Sequence, residues 1–478
     1  MKIENRYQRL VANTAIMGVG TFGSKVLVLF LMRFYTSILS EGQLGTGDLI
    51  MMYVNLLIPV VSIGFINAII RFGLDETENK KSVLSNALFV IFSGFILFAC
   101  FMPIIAKILP IIANDKEIAG YAYLIYIGVC MSLIHSAFAV FIRSSGRITL
   151  YAIDGILSTV WLVLFWILFL AVFKMGIAGY VLATACSDLV SAVFLFFAAK
   201  LYRSIRLKIR LNLLKSMTRY AIPLIPNTVL WWVTTASDRT FVTNMLGPAA
   251  NGLYAAANKI PTVIVLLAST FLEAWQISAV TQRNDRDIAR FFTKVVQAYS
   301  SLIFVASAVI IAFCQIIIRI LVAPKFFGAW EFVPILVLAI VFSCLANFLG
   351  SVYMVEKKNS FMFVTTGIGA GLNILLNFIL IPSMGVNGAA LATCLSYLLI
   401  FLARAVHSRR FIKIKWNAPR LTLNTVLLSV QVVIILSQVR GWFVYELILM
   451  VIVGLINVNY LINSAKLLLG KRKGAAAE

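Results

Sequence analysis

The chain is poor in charge, and in negative charge above all. Only 12% of its 478 residues are Asp, Glu, Lys or Arg, about half the share in a soluble protein. Eighteen acids stand against 41 bases. Histidine occurs twice, at His135 and His407. The six cysteines (Cys100, Cys130, Cys186, Cys314, Cys344, Cys394) all fall in apolar runs, with no CxxC and no Cys/His spacing. Neither a metal site nor a disulfide framework is expected from them. No phosphate-cradling Gly-rich loop is present, so the chain does not hydrolyse nucleotide by itself. Loops are short, and the longest, the basic Tyr202–Ser216 segment, is too small to house an active site. These absences point away from an enzyme and from a resident cofactor.

What the chain has is apolar length. Sixty-one per cent of it is hydrophobic, and many runs exceed the roughly 20 residues that span a bilayer. The runs are too long and too unalternating for barrel strands. The fold class is therefore an all-α polytopic membrane protein. Fourteen spans are read, at roughly 10–38, 47–72, 82–111, 118–142, 150–173, 177–201, 217–246, 250–281, 290–321, 330–355, 360–382, 386–406, 420–439 and 442–465. The first apolar run, from Gly18 to Leu31, continues as a full span, so no cleavable signal is expected.

The excess of bases tests this count. With the N-terminus in the cytoplasm, 31 of the 41 Lys and Arg fall on the cytoplasmic side and six outside. Four remain at membrane depth: Lys25, Arg33, Arg239 and Lys259. The positive-inside rule then puts both termini and the Tyr202–Ser216 loop in the cytoplasm. It also accounts for the basic balance without nucleic acid, by topology and lipid-headgroup contact.

Two echoes recur at nearly one spacing. Leu39-Ser40-Glu41-Gly42-Gln43-Leu44-Gly45 is echoed by Leu246-Gly247-Pro248-Ala249-Ala250-Asn251-Gly252, 207 residues later. Gly176-Ile177-Ala178-Gly179 through Ala183-Thr184 is echoed by Gly385-Val386-Asn387-Gly388 through Ala392-Thr393, 209 later. They argue for a duplicated unit, a recurring transporter plan. The expected domains are 1–214 and 215–416, two pseudo-symmetric six-helix bundles, then 417–478 with two additional spans.

Charges at membrane depth cost several kcal/mol and are functional candidates by default. Lys25 and Arg33 lie eight residues apart, within about 80° on a helix, and Lys259 and Glu273 fourteen apart, within about 40°. Under the repeat, Arg239 falls one residue from the counterpart of Arg33. Lys25, Arg33, Arg239 and Lys259 make a cationic lining if they face one cavity. Arg33 could instead snorkel to headgroups, and Asp238 could offset Arg239. The acids read at depth are Asp154, Asp188, Asp238 and Glu273. Asp188 and Glu273, with Asp238, are the candidates for coupling to a proton or sodium ion. Asp154, near the end of its span, reads as solvated, and His135 as a hydrogen-bonded interior residue. Pro59, Pro223, Pro226 and Pro261 are expected to interrupt or kink helices. Trp231 and Trp232 suit either sugar stacking or helix packing.

These stretches carry a resemblance. Asn13-Thr14 through Gly23-Ser24-Lys25, Leu39-Ser40-Glu41 with Gly45, Arg71-Phe72 and Arg143-Ser144-Ser145-Gly146-Arg147 appear in order. Ser237-Asp238-Arg239, Leu246-Gly247 and Gly252-Leu253-Tyr254 follow. With the two repeats, the chain resembles the polysaccharide transporter (oligosaccharide flippase) family of the multidrug/oligosaccharidyl-lipid/polysaccharide exporter superfamily. The resemblance implies two six-helix bundles alternating between inward-open and outward-open states in the cytoplasmic membrane. It implies a substrate of undecaprenyl-pyrophosphate-linked oligosaccharide, and as partners membrane lipids and the glycan polymerase and glycosyltransferases of the same pathway. The two last spans resemble those of lipid II flippases. An ion-coupled multidrug extruder of the same superfamily is the alternative, but its cavity calls for acids rather than four bases.

Overall fold

The computed structural model describes residues 27–75, 78–113, 117–205, 209–281, 288–355 and 360–474. All the regular structure among them is helical. The helices are α1 (Met32–Ile38), α2 (Glu41–Val61), α3 (Phe65–Gly73), α4 (Lys80–Ala113), α5 (Ala122–Ser144), α6 (Ile148–Trp166) and α7 (Gly176–Ala198). There follow α8 (Leu211–Ala221), α9 (Leu224–Leu246), α10 (Pro248–Lys259), α11 (Thr262–Thr281) and α12 (Ile288–Leu321). The last are α13 (Val333–Val355), α14 (Ser360–Met384), α15 (Val386–Ser408), α16 (Ala418–Ser437) and α17 (Trp442–Gly474).

Among the described residues, 12 helical segments are long and apolar enough to cross a membrane. They correspond to twelve of the fourteen spans read from sequence. The other two are 10–38, described only from Leu27 on, and 217–246. Pro223 divides the latter into α8 and α9, since proline's ring and missing N–H break the ladder. Pro261 likewise separates α10 from α11. Pro59 is carried inside α2, which ends two residues later. Pro226 sits in the first turn of α9, where the lost N–H had no intrahelical partner.

Local chemistry sets the boundaries that matter for function. Ser40 and Gln43 form a reciprocal capping box that starts α2 at Glu41, satisfying two orphan donors. The repeated glycines Gly176 and Gly385 both take a positive φ, of 57° and 60°. That conformation is costly for a residue with Cβ. The echo around them is thus a repeated helix start, opening α7 and α15.

The chain forms two compact units. One comprises Met1–Ala255 with Leu321–Ala323, the other Ala256–Ile320 with Pro324–Glu478. In the second unit, two arginines read as cytoplasmic are buried. Arg404 of α15 donates to Thr365 and Thr366 Oγ1 of α14 and to the Ala346 carbonyl of α13, at 3.0–3.1 Å. Arg420 of α16 donates to Ser300 and Ser301 Oγ of α12 at 2.9 Å, with Tyr460 of α17 under its guanidinium at 3.9 Å. Further along, Asn457 donates to Asn424 at 2.7 Å and Gln431 to Glu446 at 2.9 Å. This polar ladder ties α16 and α17 to each other and to α12. Between apolar helices in lipid, such bonds supply what hydrophobic burial cannot.

Candidate functional site

The first unit holds two clusters of buried charge. One surrounds Arg239. Its Nε lies 2.8 Å from Asp48 Oδ2, and both side chains are nearly buried. Nη1 rests against Met52 Sδ. Trp232 Nε1 donates to the Met52 carbonyl at 2.9 Å, and its ring lies 6.3 Å from that of Tyr53. Asp238 accepts from Tyr254 Oη of α10 at 2.9 Å. Arg239 is ion-paired to Asp48 on α2, a partner from another helix. Trp232 thus packs between helices, the second of its two expected uses.

Two glycines let these helices meet. Asn251 donates to the Gly45 carbonyl at 2.8 Å. A Cβ on Gly45 would overlap the Pro248 carbonyl oxygen, and one on Gly252 would overlap that of Glu41. The echoed residues therefore touch reciprocally: each glycine faces the residue that occupies, in the other copy, the place four before it. Backbones this close leave no room for a side chain.

The second cluster lies on α5, α6 and α7. His135 Nε2 is 2.9 Å from Asp154 Oδ2, and Nδ1 is 2.9 Å from Asp188 Oδ1. Ser132, one turn before His135, donates to Asp188 Oδ2. Ser187 Oγ donates to the Ser158 carbonyl at 2.7 Å, fastening α7 to α6 beside the cluster. Asp154, expected to be solvated near the end of its span, is 2% exposed. Asp154 is one of the few buried residues of α6, with Ala152 and Thr159, on a helix against which α5 and α7 pack, and sequence position alone does not show that.

The remaining expected residues fall elsewhere. Arg33 is exposed on α1, and Lys259 is half-buried in the last turn of α10. Glu273 lies on α11. Lys25 and the side chain of Glu273 lie outside the described residues. Asp48 stands at the edge of the apolar run that begins at residue 47, so the sequence alone does not mark it as a charge at membrane depth. The Ser40-x-x-Gln43 pattern was the available signal that the helix begins six residues earlier, two turns before Asp48.

Residues 10–276 match the family profile described as "Polysaccharide biosynthesis protein". A search of curated protein sequences returned no match. Solved structures share the fold. The lipid II flippase MurJ, in an inward closed conformation, superposes with a TM-score of 0.70 at 14% identity, over 94% of this chain and 99% of that one. An inward-facing multidrug resistance MATE family transporter of the MOP superfamily gives 0.65 at 13% identity, over 82% and 98%. A MOP superfamily transporter from Pyrococcus furiosus gives 0.58 at 14% identity, over 84% and 95%.

Proposed function

Since the chain belongs to the polysaccharide biosynthesis protein family, we propose that it is a flippase for undecaprenyl-pyrophosphate-linked oligosaccharide, acting by alternating access in the cytoplasmic membrane. The observation that carries this reading is the family match over residues 10–276. The charge pattern supports it. A pyrophosphate leaving water needs positive charge to replace its hydration. Lys25, Arg33, Arg239 and Lys259 are the bases at membrane depth. In this reading Lys25 and Lys259 bind the phosphates. Arg239, held by Asp48, shapes the site, and Arg33 meets substrate or headgroups near the membrane boundary. The repeats 1–214 and 215–416 are the two moving bundles, and 417–478 is an appendage. With no nucleotide site, the work comes from an ion gradient through Asp188, Asp238 or Glu273, or from the substrate's own gradient.

A second reading has its own support. The lipid II flippase structure covers 94% of this chain, whereas the MATE structure covers 82%. That extent favours a lipid II flippase over a multidrug extruder as the alternative. The test is a flipping assay in proteoliposomes with a fluorescent pyrophosphate-linked lipid. Lys25→Ala and Lys259→Ala should each lower the rate at least tenfold, while Lys→Arg at either position keeps partial rate. Normal flipping by both Ala variants, or export of cationic dyes without flipping, would overturn the reading.

A further inference from the structure

The contacts of His135 count protons. A neutral imidazole has one N–H and one lone pair. Here both ring nitrogens lie 2.9 Å from a carboxylate oxygen. Both contacts are hydrogen bonds only when the cluster holds two protons. Either the ring is an imidazolium between two carboxylates, or the ring is neutral and one aspartic acid donates to it. Removing one proton sets a lone pair against a carboxylate oxygen. That contact is repulsive, and in a site this buried little water screens it. The Asp154 contact joins α5 to α6, and the Asp188 contact joins α5 to α7. Losing the proton therefore loosens one of two helix pairings.

The arrangement also selects the ion. The two carboxylates bind opposite ring nitrogens, so the ring stands between them and they do not converge on one point. A sodium ion wants several oxygens around it, whereas a proton needs one donor and one acceptor in line. Asp188 Oδ2 is already taken by Ser132. The Asp188 end is the more open, at 18% side-chain exposure against 4% for Asp154, so protons enter there. Among the described residues, Asp154 and Asp188 are the charged groups that act on the ring. Of the other helices packed on α5, α2 commits Asp48 to Arg239, and α3 commits Arg71 to Asp75. α4 carries Lys80, Lys81 and Lys107 toward its two ends, and α5 itself has Arg143 in its last turn.

We propose that Asp154, His135 and Asp188 form an exchangeable proton site whose occupancy sets the packing of α5 against α6 and α7. As the site that couples flipping to a proton gradient it rests on the transport reading above. As a proton site it does not.

The test separates the two. His407→Gln leaves His135 as the sole histidine, and its stacking partners lie in the second unit. Full-length protein labelled with 15N-histidine in lipid nanodiscs then gives one ring to follow by NMR. Its two nitrogen signals should change with pH between about 5 and 9. Asp188→Asn and Asp154→Asn should each move the midpoint by about one pH unit. Signals that stay fixed across that range, or midpoints indifferent to both variants, overturn the proton site. The titration is repeated with sodium replaced by choline at equal ionic strength, and signals that follow sodium rather than pH overturn it equally. In proteoliposomes, flipping by the wild type should accelerate with an imposed pH gradient and that by Asp188→Asn should not. A titrating His135 with gradient-independent wild-type flipping would sink the coupling role and leave the proton site standing.

Discussion

Arg239 shows what a buried charge costs and what it needs. A guanidinium taken from water is stabilised only if its partner is close and shielded, and Asp48 meets both conditions at 2.8 Å. Removing one partner strands the other. Arg239→Ala should therefore destabilise the protein by about 3–5 kcal/mol, because Asp48 is left as an uncompensated buried carboxylate. Arg239→Gln combined with Asp48→Asn should recover most of the loss, since a neutral pair needs no counter-charge. The apparent melting temperature of purified protein in detergent reads both. A double variant no more stable than Arg239→Ala would show that the pair is not what holds α9 to α2. The sequence tells which residues are charged in an apolar context, and Arg239, Asp188 and Asp238 stand out that way. It could not pair them. Asp48 and Asp154 come to their partners across more than a hundred residues or from another helix, and sequence distance carries no signal of either approach.

At the scale of the element, the 207-residue echo becomes a reciprocal contact. Gly45 of α2 faces the carbonyl of Pro248, and Gly252 of α10 faces that of Glu41. Small residues at helix crossings let backbones approach when lipid supplies no hydrophobic drive. Gly45→Ala and Gly252→Ala should each cost about 1–3 kcal/mol through overpacking, because the atom in the way is backbone and cannot rotate aside. Gly371→Ala on α14, which meets nothing within 4 Å, is the control and should be tolerated. Folded yield by size-exclusion chromatography distinguishes them, and equal yields for all three would refute the crossing. Helix order and most boundaries were legible in the sequence, since apolar runs, prolines and glycines act locally. Less legible was why the glycines are there. Gly42 with Gly45, and Gly247 with Gly252, read as turn residues, and only the crossing shows that the last glycine of each echo clears space for the other helix.

For the whole molecule, the distribution of bases makes the sharpest claim. The segments richest in Lys and Arg all fall on one side if the fourteen spans alternate, and the positive-inside rule assigns that side to the cytoplasm. The structure moves Arg404 and Arg420 out of that tally and into the second unit, where hydroxyls and carbonyls satisfy them. The bias survives their removal, because 29 bases still stand against six. Orientation can be read with single cysteines placed in a background lacking the six native ones. Lys174 and Lys325 are exposed on the side expected to face outward, and Arg203 and Arg410 on the side expected to face inward. A membrane-impermeant maleimide added to intact cells should label Lys174→Cys and Lys325→Cys and leave Arg203→Cys and Arg410→Cys unmodified until the cells are opened. The reverse pattern would invert the molecule, and with it the direction in which any lipid-linked substrate travels. A mixed pattern, with Lys174→Cys and Arg203→Cys labelled alike, would mean that α7 does not cross the bilayer. That outcome would take Asp188 out of the membrane and remove the low-dielectric setting on which its partnership with His135 depends.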